Sequence, residues 1–247
     1  MKHNEYIAIA LTTAIALPLT GLHLLKPDTK HQSITAAVDF VSGTKPAHAA
    51  SLSVSSNKQL VLVALTLMQT AAWAEAGWHP GIATDDLYKI QFGMTKFESY
   101  ASHPDQVMCA DTYSGQICSA ASGAYQFMPA TWDDIYERYD YWPVGPNGET
   151  FIPAAQDLGF LRLFAETGGW WHLEAGIKTL NGVVSVDDDA IGAAMNAAAA
   201  TWCSFPSYTQ AARGPANAYS CNDPRQAQKS MEDTIAMFQE NLKKNQQ

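Results

Sequence analysis

Apolar residues at Leu60, Ala64, Leu67, Met68 and Ala71 fall on one helical face, and four positions on, the same stripe reaches Glu75. Ser56 followed by Gln59 forms a capping-box pattern, which predicts a helix starting near Asn57, and Gly77 is suited to stop it in a left-handed cap. The carboxylate is therefore in phase with the side that should be buried. Beyond Trp78 the pattern breaks up. "YKIQF" and "KFESY", on either side of Gly93, predict a short β-hairpin, and a polar loop flanked by Cys109 and Cys118 follows. Thr131 is placed to cap a helix running through Tyr139. Further helices are predicted over 154–167, 187–202 and 225–243, the last with Met231, Ile235, Phe238 and Leu242 on one stripe. The expected fold class is α+β, mainly helical, with a small β-hairpin or sheet and no internal repeat.

The N-terminal part reads differently. Residues 6–25 contain no Asp, Glu, Lys or Arg, and residues 26–56 are a polar linker. Such an apolar run is an export signal or a membrane anchor. Ala47-His48-Ala49 offers a cleavage pattern that would leave a chain beginning at Ala50, but signal peptides usually span about 15–30 residues. A cleaved and a retained N-terminus both stay open. We therefore divide the chain into an export or anchor segment with linker, 1–49, and a folded domain, 50–247. The expected location is periplasmic or extracellular, with membrane association through residues 6–25 if they are kept.

Composition narrows the partners. The chain is 47% hydrophobic and 16% charged, as expected for a folded domain, and 24 acidic against 15 basic residues give a net charge of −9. An acidic body argues against nucleic acid, whose phosphates need clustered Lys and Arg. Four cysteines behind an export segment suggest disulfides. Four allow three pairings, of which we favour Cys109–Cys118 and Cys203–Cys221, each closing a local loop. Neither pair has zinc-site spacing and no H-E-x-x-H occurs, so neither a metal nor another cofactor is expected. Asp187, Asp189 and Gly192 echo a calcium loop but lack its closing Glu, so a helix N-cap is the better reading.

Glu75 is the candidate for chemistry. Withdrawing a carboxyl from water disfavours its charged form, and a rise of about 2 units leaves a sizeable protonated fraction near neutrality. A glycosidic oxygen leaves readily only once protonated, which is the task of such a group. Gln126 offers a donor and acceptors to sugar acetamido or hydroxyl groups, or it ties two backbone segments together. Tyr125 and Tyr100 either stack on sugar rings or pack the core. Trp202 either lines a cleft floor or belongs to the core. His103 suits a loop-stabilising hydrogen bond better than a base, and Asp85 and Asp86 read as surface turn residues.

The segment "SAASGAYQFMPATW", with Gly123, Gln126, Met128, Pro129 and Thr131, resembles a lytic transglycosylase motif found downstream of a catalytic glutamate in the lysozyme-like superfamily. Within that superfamily the chain is more similar to the bacteriophage lambda endolysin-like family. The matching stretches are W-x-E at Trp73–Glu75, "FESYASHP", "AASGAYQF", "PAAQDLGFLRLFAETG" and "TWCSFP", in order from about Leu60 to Phe238. The resemblance implies a lysozyme-like domain that acts as a monomer on peptidoglycan strands. It implies cleavage of the β-1,4 bond between N-acetylmuramic acid and N-acetylglucosamine, with Glu75 as the single acid and base and a 1,6-anhydro ring as product. Ser102 and Ala124 depart from the family's usual Asp and Arg, which bears on substrate binding. Ala76 follows Glu75 where related groups have Gly or Ser, so an orienting hydroxyl is missing there. The alternatives are a hydrolytic muramidase, with a second carboxylate in the cleft, and a non-catalytic peptidoglycan-binding protein.

Overall fold

The computed structural model describes residues 54–78, 83–112, 115–208 and 229–247. The expectations for residues 1–49 and for Cys221 lie outside the described residues. The first described helix, α1 (Val54–Ala76), starts three residues before the position predicted from the capping box. By length and composition it could cross a membrane, yet it is mostly buried as the central helix of the fold. It carries Leu60, Ala64, Leu67, Met68 and Ala71, all 5% exposed or less. Fully burying a Leu or Met side chain stabilises a fold by about 1.5–3 kcal/mol, so this stripe anchors the helix.

Among the described residues, three two-stranded antiparallel hairpins accompany the helices. After α2 (Thr84–Tyr88), β1 (Ile90–Gln91) pairs with β2 (Thr95–Lys96) around Gly93, as the sequence predicts. The cysteine loop, expected to be irregular, is a hairpin of β3 (Met108–Thr112) and β4 (Gly115–Ser119). Cys109 and Cys118 face each other across it and form a disulfide. α3 (Pro129–Arg138) begins at Pro129 rather than on a Thr131 cap, because proline's fixed φ suits the first helical turn. α4 (Pro153–Glu166) likewise starts one residue early, on Pro153.

α5 (Gly169–Gly176) and the hairpin of β5 (Ile177–Leu180) and β6 (Val183–Val186) have no counterpart in the sequence reading. α6 (Asp188–Ala198) stops four residues short of Trp202, which leaves the segment through Phe205 as turns. Asp187 stands at its N-cap, but the carboxylate pairs with Lys178 at 2.7 Å instead of capping. α7 (Met231–Asn245) is capped by Ser230, whose hydroxyl accepts from the Asp233 amide at 2.9 Å.

α7 and α4 both pack against α1. Between α1 and α4 lies an aromatic core in which Tyr125 stacks on Phe160 at 4.4 Å and Trp202 meets the same ring at 5.0 Å. This core underlies the end of α1 and fixes the segments that gather around Glu75.

Candidate active site

Glu75 occupies the last turn of α1. Ala74 and Ala76 beside it are buried, whereas Glu75 itself is partly exposed. The helix ends as its sequence predicts: Gly77 adopts φ +66°, and the Trp78 amide donates back to the Ala72 carbonyl at 3.1 Å. Trp78, 6% exposed, closes over that end.

The hydroxyl that Ala76 cannot supply arrives from far along the chain. Ser204, in the turn after α6, donates its Oγ–H to Glu75 Oε1. Burial drives the Glu75 pKa from 4.5 up to about 7, against the opposing pull of the Ser204 hydroxyl and amide and of Lys229. At neutral pH about half of such a group holds its proton. Ser204 lies within "TWCSFP", and its W-x-S spacing was the available signal, although nothing in that spacing says where the hydroxyl points.

A ladder of hydrogen bonds places Ser204. The Trp202 indole Nε1 donates to the Tyr125 carbonyl at 3.2 Å, which fastens the Ser204 turn to the Gly123–Gln126 loop. That loop is closed by reciprocal backbone bonds between Ser122 and Phe127 (3.0 and 2.8 Å) and joined to β1 by the Gly123 amide on the Ile90 carbonyl at 2.7 Å. Gly123 has φ +81°, and a Cβ there would stand 2.2 Å from Gln156 Oε1. The space is needed because Gln156 braces the loop. Its Oε1 accepts from the Ala124 amide at 3.0 Å, and its Nε2 donates to the Tyr88 and Phe151 carbonyls at 3.1 and 2.8 Å. Ala124 is wholly enclosed, so a longer side chain at this position would have to displace the brace.

The other sequence-selected residues fall on both sides of the protein surface. Tyr125 is fully buried and donates its hydroxyl to Asp157 at 2.6 Å, so its ring supports the loop from below. Trp202, 4% exposed, supports it in the same way. Gln126 is partly buried with φ +48°, and its Nε2 donates to the Gly123 and Ile90 carbonyls at 2.9 and 3.3 Å. Only its side-chain oxygen is left to meet a ligand. Tyr100 is partly exposed, and its hydroxyl donates to Asp85 Oδ1 at 2.9 Å. Asp85 and Asp86 form exposed ion pairs with Lys89 and Lys96, as suits surface residues. His103 is held as a neutral tautomer: Nδ1 accepts from the Asp105 amide, Nε2 donates to the Phe127 carbonyl at 2.8 Å, and burial lowers its pKa. Among the described residues no cluster of His, Cys, Asp or Glu could hold a metal ion.

The family model described as Endolysin matches residues 65–242, most of the chain and all of the segments just described. The chain belongs to the endolysin family. Membership supports peptidoglycan-degrading glycosidase activity for this endolysin-family chain. Among solved structures, bacteriophage lambda lysozyme complexed with a chitohexasaccharide is similar at 20% identity and a TM-score of 0.51, covering 73% of this chain and 94% of that one. A second structure, lysozyme from bacteriophage lambda, shares 16% identity at a TM-score of 0.49 and covers 74% of this chain and 94% of that one. The first of these shows the lysozyme-like fold. No curated protein matches the chain.

Proposed function

We propose that the chain is an exported peptidoglycan lytic transglycosylase with Glu75 as its sole acid and base. The carrying observation is the Glu75 carboxyl itself, poised at about 7 by burial at a helix end and held by the Ser204 hydroxyl. No second carboxylate among the described residues is among the groups that shift it. A single carboxyl suffices when the nucleophile is carried by the substrate, whereas glycosidases of the usual kind work with two.

The proton on Glu75 passes to the glycosidic oxygen as the bond from that oxygen to the muramoyl anomeric carbon breaks. The resulting carboxylate, still hydrogen-bonded to Ser204, then takes the proton of the muramoyl 6-hydroxyl. That oxygen bonds to the anomeric carbon and closes the 1,6-anhydro ring. Glu75 ends the cycle protonated and no water is consumed. Near pH 7 both forms of the group are populated, as a residue serving first as acid and then as base requires. Tyr100 and the Gln126 side-chain oxygen are the proposed polar contacts to the glycan. Tyr125 and Trp202 serve it indirectly, by holding the loop.

Product chemistry tests this reading. Digestion of purified glycan strands in 18O-water should give 1,6-anhydro-muramoyl ends without label. Incorporation of 18O at the new reducing end would mean hydrolysis and make the chain a muramidase.

A further inference from the structure

Lys229 is the one charged side chain among the described residues that shifts Glu75, and the proposed reaction leaves it unused. It immediately precedes the Ser230 cap of α7. Its amide donates to the Ser204 carbonyl at 2.9 Å, the same residue whose hydroxyl holds Glu75. Its ammonium lies 4.4 Å from the ring centroid of Trp73, two residues before Glu75 on α1. The cation is thus fixed twice, through its main chain to Ser204 and through its side chain to an aromatic face. Among the described residues, the other groups that shift Glu75 bring no charge: the Ser204 turn contributes a hydroxyl and an amide, and Trp73 is neutral.

We propose that Lys229 is a positioning residue for Glu75, held on Trp73 so that its charge stabilises the carboxylate left after proton donation without pairing directly with it. A direct ion pair would pull the carboxyl well below neutrality and empty it of the proton it must donate. With no cation nearby, the carboxylate would cost somewhat more to form, because burial already disfavours its charged form. Trp73 keeps the ammonium between these limits. The inference rests on the acid–base reading of Glu75.

The test compares pH–activity profiles of the full chain with those of Lys229→Met and Lys229→Arg. Removing the charge should move the alkaline limb upward by about half a pH unit, and Lys229→Arg should restore its position. A purely structural lysine would lower activity at every pH and leave the limb where it was. Direct titration of the Glu75 carboxyl by 13C NMR in wild type and Lys229→Met reads the same quantity even where turnover is lost. An unchanged titration, or equal shifts in the Met and Arg variants, would overturn the proposal. Full activity in Glu75→Gln would instead remove the catalytic reading, and the titration result would still stand on its own.

Discussion

Two carboxylates, Glu75 in the last turn of α1 and Asp157 on α4, have opposite surroundings. Asp157, on α4, is 3% exposed, and its Oδ1 accepts the hydroxyls of both Tyr88 and Tyr125 at 2.6 Å. Burial and the Asp157 charge push both tyrosines well above their ordinary pKa, so the hydroxyls stay protonated as donors. Glu75 has one hydroxyl donor, on Ser204, and keeps part of its surface exposed. Asp157 is locked in place by two donors that cannot leave it, whereas Glu75 is costly to ionise and open on one side. Burial alone does not mark a reactive carboxyl. On the proposed reading of Glu75, donor supply and access separate a strut from an acid.

The largest expected effect breaks the symmetry outright. Glu75→Gln keeps the shape and an oxygen for Ser204 but has no proton to give. Release of soluble muropeptides should fall by about 10³-fold or more, with an unchanged circular dichroism spectrum. Asp157→Ala should act on the other axis by stranding two buried hydroxyls. Urea unfolding should then show a loss of about 3 kcal/mol or more. A nearly unchanged midpoint would show that the two tyrosines find other partners.

The third prediction turns the chemistry of Glu75 into stability. Its folded pKa of about 7 lies above the ordinary 4.5, so between these values the native state binds a proton that the unfolded chain has released. Stability is therefore lost as pH rises through this window, by about 3 kcal/mol in full. Glu75→Gln should stabilise the fold by about that amount at pH 8, with the gain fading toward pH 4. Urea midpoints at the two pH values measure it, and a gain independent of pH would contradict the raised pKa.

How much of this was legible from residues alone depended on the range of the signal. The α1 stripe, its Gly77 stop and the hairpin at Gly93 are local, and the structure has all three. The Cys109–Cys118 pair was expected, but not the β-ladder around it, because "MCADT" and "GQICS" are short and poor in the β-branched and aromatic residues that mark strands. The proline start of α3 overrode the weaker capping signal at Thr131, and α4 starts on Pro153, one residue before its predicted bound. The site's supports were hidden for another reason. Gln156 reaches Ala124, and Ser204 reaches Glu75, across 32 and 129 residues of sequence. Spacing can flag such residues, but only packing shows what they touch. For Tyr125 and Trp202 the sequence left a sugar-facing and a core role both open, because aromatic type says nothing about which side of a loop the ring occupies; the structure buries both.

The smallest expected effect makes the sharpest comparison, because it removes a single hydroxyl from each carboxylate. Tyr88→Phe takes one of two donors from Asp157. The remaining Tyr125 bond still supplies Oδ1, so the cost should be about 1–2 kcal/mol of stability with no movement of the pH–activity profile. Ser204→Ala takes the side-chain donor from Glu75. That donor favours the carboxylate, so its loss leaves burial less opposed and raises the pKa further. The alkaline limb should move upward while kcat falls by about tenfold, because the carboxyl is no longer held toward its substrate. Ser204→Thr, which keeps a hydroxyl, should recover both the limb and part of the rate. If Ser204→Ala instead lowered the unfolding midpoint and left the pH profile in place, Ser204 would brace Glu75 as the tyrosines brace Asp157, and the contrast between the two carboxylates would be one of exposure alone.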